Sequence, residues 1–189
     1  MGFFNSSRRW SGDFNHGWAG ISRMGLGNSL REVTGARLHP SGLIFDNAGM
    51  TDAEFIAQFE ARILPFEQWT HRAHVKVAYL YLRKYSFDEA LARVGTNIRA
   101  FNAANNIPSS PTSGYNQTTT HAMLHIIAAV MSAYEKTHPV NTADEFCDMH
   151  PQLMSKHILR LFYSPARRMD PRAKDEFVPP DLADLPKIR

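Results

Sequence analysis

The sequence predicts an all-α fold, a single-domain helical bundle of about six helices, and three observations carry that prediction. From Thr51 onward apolar residues recur at helical spacing, in Phe55, Phe59 and Ile63 and again in Leu91, Val94, Ile98 and Phe101. Three boxes of the form Ser/Thr-x-x-Glu begin at Thr51, Ser86 and Thr142. In such a box the hydroxyl caps the backbone N–H three residues on while the glutamate reaches back, which marks a helix start. No stretch alternates polar and apolar residues for long enough to make a strand. With 189 residues the chain can bury the core of one domain.

The elements follow in order. The Thr51 box opens a first helix that carries Phe55, Phe59 and Ile63 and ends at Pro65, since proline lacks the N–H that a helix needs. Thr70 caps a second helix over His71 to Lys84, and the Ser86 box opens a third through Phe101. Residues 105–116, with two prolines and a glycine, form a loop. A fourth helix spans Gln117 to Lys136, the Thr142 box starts a short fifth, and Gln152 to Phe162 make a sixth. The tail, rich in Pro and Asp, is expected to lie as an extended strap over the bundle. Residues 1–50 read differently: rich in Gly, Ser, Asn and Arg and without helical or strand period, they form a disordered or irregular N-terminal extension. The plan is therefore an extension over 1–50 and an α-helical domain over 51–189.

Composition narrows the function. The formal net charge of +3 resides in residues 1–38, where five Arg face Asp13 and Glu32, and the remainder of the chain is balanced. Phosphate binding needs a dense basic patch, so nucleic acid is not an expected partner. No apolar run reaches the roughly 18 residues of a membrane span, and the N-terminus lacks a continuous apolar stretch of a secretory signal. A cytoplasmic protein is the default. The Arg- and Ser-rich start also has the bias of an organellar transit peptide. A single cysteine, Cys147, excludes an internal disulfide and any Cys-rich zinc site.

The sharpest chemistry is His71 and His74. At 100° per residue, Arg72, Lys76 and Arg83 share one face of their helix and define its wet side. His74 then points the opposite way, toward the core, with His71 about 60° further round. Two core-facing imidazoles need partners. A divalent transition metal would satisfy both, since histidines at i and i+3 converge on one ion, and a general base with its orienting partner would use them too. Each can equally well hydrogen-bond a carbonyl and serve structure alone. His121 and His125 share the spacing of ligands, which makes His121 a weak third metal ligand. They fall on a polar stripe with Ser132, Glu135 and Lys136, which argues instead for a solvent-facing surface. Tyr115, Asn116, Gln117, Thr118 and Thr120 are the better company for the pair, as substrate-binding amides and hydroxyls at a helix start where exposed N–H groups hold anions. Cys147 has no His or Asp nearby in pattern and reads as a structural thiol.

Three segments together resemble a family of small, functionally uncharacterised bacterial helical proteins. Trp69–Leu82 contains its aromatic-x-His-x-x-His helix; Gly114–Thr120 reads Gly-Tyr-Asn-Gln-Thr-Thr-Thr where the family has Gly-Tyr-His-Glu-Thr-x-Thr; Leu161–Pro165 and Phe177–Leu182 are similar to its C-terminal elements. The resemblance implies a shared fold over about residues 51–187 and no established reaction. Asn116 and Gln117 replace its His-Glu dipeptide with neutral amides. Two functions stand open. One is a small-molecule enzyme with a histidine-centred, metal-assisted site. The other is a non-catalytic binding or protein-interaction module in which the same residues form a structural hydrogen-bond network.

Overall fold

The computed structural model describes residues 49–110 and 112–188. The extension expected over 1–50 lies outside the described residues apart from Gly49 and Met50. Within them the protein is helical and contains no strand, only an isolated bridge between Ser110 and Ser113.

Helix α1 (Asp52–Glu60) starts at the expected box: the Thr51 hydroxyl accepts the Glu54 N–H, and the Glu54 carboxylate takes the Thr51 N–H at 2.8 Å. It ends earlier than Pro65 would dictate. Arg62 turns left-handed at φ 64°, and the Ile63 and Leu64 N–H groups fold back onto the Gln58 carbonyl. That reversal throws Ile63 outward, 69% exposed, and Leu64 takes the buried place. The expectation that Ile63 extends the apolar face is thereby corrected.

Helix α2 (His71–Lys84), capped by Thr70, is the centre of the bundle and touches α1, α3 (Phe87–Ala104), α4 (Gln117–Tyr134) and α5 (Ala143–Met149). Its expected wet face is not bare. Arg72 and Lys76 meet Asp144 of α5 at 2.9 and 2.7 Å, and Arg72 also reaches Asp148 at 2.7 Å. Burial pushes the Asp144 carboxyl up, and its bonds to Lys76 and Arg72 more than reverse this, leaving it below the usual carboxylate range. Below this clamp Tyr79 stacks on Phe146 at 4.3 Å. On the far side Trp69 lies between Phe59 at 4.6 Å and Phe101 at 5.0 Å, joining α1 and α3 to the start of α2.

The other caps vary. Ser86 caps α3, but the Glu89 carboxylate turns to Arg93 at i+4, so only half of that box forms. Asn116 caps α4 by accepting the Thr119 N–H. The Thr142 box of α5 is complete, and Asp52 of α1 accepts the Ala143 N–H beside it. The expected sixth helix over 152–162 divides into two 3-10 turns, Pro151–Met154 and Ile158–Leu161, because Ser155 between them is extended. A one-turn helix α6 (Pro165–Arg168) and a 3-10 turn at Pro171–Lys174 precede the strap.

The strap is present and firmly attached. The Thr118 hydroxyl donates to the Glu176 carbonyl and accepts the Val178 N–H, at 2.7 and 2.8 Å. The Asp181 and Leu182 N–H groups share the Phe162 carbonyl, and the Asp181 carboxylate takes the Ser164 hydroxyl and N–H. His125 meets the Pro186 carbonyl at 2.8 Å, and His121 stacks on Phe177 at 3.9 Å. The His121 and His125 end of the stripe assigned to solvent is therefore half-buried beneath the strap and Phe87, which packs edge-on against both rings, while Glu135 and Lys136 are exposed as expected.

Two measurements follow from the packing. Asp144→Ala is expected to lower unfolding free energy by roughly 1 kcal/mol, and less in molar salt, because the pairs are partly exposed and screened. A loss unaffected by salt would show that packing, not charge, holds α5 to α2. Tyr163 is buried, and its hydroxyl has no hydrogen-bond partner among the described residues. Removing an unsatisfied polar atom spares its desolvation cost, so Tyr163→Phe should leave stability unchanged or raise it by about 1 kcal/mol in denaturant unfolding. A drop of that size would mean that the hydroxyl is bonded.

Candidate functional site

The α2 histidines come first because the sequence singles them out. Thr70 caps the helix and directs its own carbonyl into the first turn, where the His74 Nδ1 meets it at 2.7 Å. A carbonyl only accepts, so His74 carries its proton on Nδ1. The ring lies on Trp69 at 3.9 Å, and the residue is 5% exposed. Burial drives the His74 pKa down to about 3; the Thr70 carbonyl opposes this and His71 adds to it. His71 is half-buried and donates from Nε2 to the Leu153 carbonyl at 2.8 Å. Both imidazoles thus spend a proton-bearing nitrogen on a backbone carbonyl, the role that the structural reading gave them.

The expected metal set does not assemble. Among the described residues no group of three or more His, Cys, Asp or Glu side chains is placed to hold an ion, so His71, His74 and His121 do not form one. His121 is spent on Phe177, with its pKa lowered by burial and by neighbouring His125. Cys147 is buried and its thiol is pushed up to about 12 by that burial, which leaves it unreactive at neutral pH.

The 115–120 turn contributes to a different place. A cleft of about 620 Å³ opens between the end of α3 (Arg99, Asn102), the loop over 107–116 and the segment Arg168–Asp175. Neither His71 nor His74 lines it; Tyr115 and Asn116 do. Tyr115 is held from several directions. Its ring lies under the Arg99 guanidinium at 3.8 Å, and its hydroxyl donates to Gln117 at 2.7 Å. Gly95 makes room for it on α3, where a Cβ would come within 2.8 Å of that hydroxyl. Gly114 is equally constrained: at φ 79° a side chain would be strained, and its Cβ would press on the Ser109 backbone at 3.2 Å.

Cations close the cleft. Lys174 donates from Nζ to the Ser113 and Tyr115 carbonyls, tying the loop to the C-terminal segment. Burial holds the Lys174 pKa below the ordinary ammonium value, with Asp175 opposing. Burial and nearby Arg160 likewise lower that of Arg168. Of the two carboxylates on the rim, Asp170 is bound to Arg172 at 2.8 Å.

The remaining expected substrate contacts serve the frame. Asn116 is the α4 cap and also faces the cleft; Gln117 steadies Tyr115; Thr118 anchors the strap; the Thr120 hydroxyl donates to the Asn116 carbonyl. Sequence reasoning missed Arg99 and Lys174, whose partners lie 16 and 59 or more residues away. No local pattern could have found them.

No family model, curated protein or solved structure matches the chain. No described helix is long and apolar enough to cross a membrane.

The buried His74 has a measurable consequence. Its folded pKa of about 3 lies below the ordinary 6.5, so the unfolded chain binds the proton more readily. Its contribution to stability is full above pH 6.5 and is lost progressively as pH falls toward 3. Relative to His74→Gln, the wild-type protein should lose up to about 1.4 kcal/mol per pH unit in that window. A difference that stays flat from neutral pH to pH 4 would contradict a neutral, desolvated imidazole.

Proposed function

We propose that this protein is a non-catalytic small-molecule-binding domain whose ligand carries a carboxylate or phosphate group and lies in the cleft beside Tyr115. The observation that carries this reading is the convergence of Arg99, Lys174 and Arg168 on one cleft of about 620 Å³. That volume is in the range of sites for small ligands and cofactors, about 300–1,000 Å³. The cations come from two separate parts of the chain, α3 and the segment Arg168–Asp175, and of the two carboxylates on the rim Asp170 is already bound to Arg172. An anion entering between them meets guanidinium and ammonium donors whose hydrogen bonds to charge are the stronger kind. Asn116 and Asn102 add neutral amides for orientation.

Binding rather than catalysis is favoured by what the walls contain. Tyr115 is raised by burial, with Arg99 opposing, so its proton stays in place at neutral pH. Lys174 is engaged by two carbonyls. The amides do not titrate. The imidazoles, which alone would be suited to proton transfer near pH 7, lie outside the cleft.

The test is calorimetric titration of the full chain with citrate, inorganic phosphate, glucose 6-phosphate and AMP, with thermal unfolding alongside. At least one probe should bind. At a hundredfold excess over its dissociation constant it should stabilise the protein by about 2.7 kcal/mol. Arg99→Gln, at an exposed helix position, should weaken that probe about tenfold or more, the loss of one charged hydrogen bond. Absence of binding at millimolar concentration, or full affinity in Arg99→Gln, would remove the proposal.

A further inference from the structure

A second pocket, remote from that cleft in sequence and composition, has a chemistry of its own. It lies where the last turns of α2, α4 and α5 come together, with a volume of about 230 Å³. Tyr79 and Arg83 stand at i and i+4 on α2, Tyr134 ends α4 and Glu135 follows it, and Phe146 and His150 stand at i and i+4 at the end of α5. Tyr79 and Phe146 stack at 4.3 Å to form an aromatic floor. His150 leans on Phe146 at 4.7 Å and on Tyr134 at 5.2 Å. Tyr134 rises from this floor 44% exposed, an aromatic wall with one face still in water.

The two charges at the pocket differ from others along these helices. Arg72 and Lys76, about three and two turns before Arg83 on α2, are paired with Asp144. Arg83 gives one hydrogen bond, Nη1 to the Tyr79 hydroxyl at 3.2 Å, and enters no ion pair among the described residues. Glu135 enters none either. Opposite charges therefore line one aromatic pocket without pairing with each other.

We infer that this pocket binds an aromatic α-amino acid: the ring against the exposed Tyr134, above the buried Phe146 and His150, the carboxylate on Arg83 and the ammonium on Glu135. The volume falls below the range of drug-sized ligand sites, about 300–1,000 Å³, so it suits one ring system with a short polar end. An offset or edge-on ring pair with Tyr134 supplies attraction beyond plain burial. The Arg83 fork matches a carboxylate bidentately, and its one internal partner, a neutral hydroxyl, leaves the remaining N–H donors for the ligand. A ligand with both charges bridges the gap that keeps Arg83 and Glu135 apart. One with a single charge leaves the opposite side chain unanswered. Discrimination against analogues that lack either group follows from that.

Titration of the full chain with L-phenylalanine, phenylacetate and phenethylamine tests this directly. L-Phenylalanine should bind, and each analogue should bind about tenfold more weakly, the equivalent of one charge-assisted contact. Arg83→Gln should bring L-phenylalanine down to the affinity of phenethylamine while leaving phenethylamine unchanged. Glu135→Gln should do the converse with phenylacetate. Tyr134→Ala should weaken all three. These side chains are exposed, so the variants should keep the wild-type circular dichroism spectrum. Arg99→Gln in the other cleft should have no effect, which makes failure here distinct from failure there. The inference is overturned if L-phenylalanine, L-tyrosine and L-tryptophan all fail to bind at millimolar concentration. It is overturned equally if phenylacetate matches L-phenylalanine, or if Arg83→Gln binds L-phenylalanine as the wild type does.

Discussion

The bundle depends on satisfying the polar groups of a helix that has neighbours on every side. Helix α2 touches four other helices, so no face of it is simply left to water. A polar group taken from water without a partner costs about 1–3 kcal/mol, and several such groups would exceed the stability of a typical domain. Each one is answered from a different element. His71 finds the Leu153 carbonyl in the turn after α5, and His74 finds Thr70 at its own cap. Arg72 and Lys76 find Asp144, and the Tyr81 hydroxyl donates to Glu60 of α1 and accepts from Asn97 of α3. Apolar packing alone tolerates sliding between helices. These bonds fix which turn of α2 faces which neighbour.

That arrangement explains which features were legible in the sequence. The caps at Thr51, Thr70, Ser86 and Thr142 were readable because a cap is a bond between residues three apart. The same locality made the α2 boundaries readable. Helical-wheel reasoning failed where it equated charge with water: Arg72 and Lys76 mark the seam to α5, through an aspartate about seventy residues later. The stripe with His121 and His125 failed for the same reason, since a wheel cannot foresee a strap arriving from residues 177–186. Ile63 and the divided sixth helix are backbone events, a left-handed Arg62 and an extended Ser155, which apolar spacing does not encode.

The histidine pair shows how much of a strong local pattern goes into holding the frame. Spacing of i and i+3 brings two imidazoles to one face, but chemistry depends on which nitrogens remain after structure has used its share. Here a cap carbonyl and a loop carbonyl each take one N–H, and burial keeps His74 neutral. Of the turn at 114–120, Tyr115 and Asn116 line a cleft that neither imidazole enters. Asn116 is a cap and Gln117 a brace for Tyr115.

The cleft and the strap are one mechanical unit. Lys174 ties the C-terminal segment to the Ser113 and Tyr115 carbonyls, and four residues later Val178 is held by Thr118. Both anchors therefore fall at the start of α4, on either side of its Asn116 cap. The loop between Gly114 and Asn116 cannot shift without disturbing one anchor or the other, and Gly95 admits Tyr115 only in its present place. Arg99 then has a fixed aromatic platform, not a mobile one. The strap, which contributes little to the core, thus holds one wall of the cleft in place.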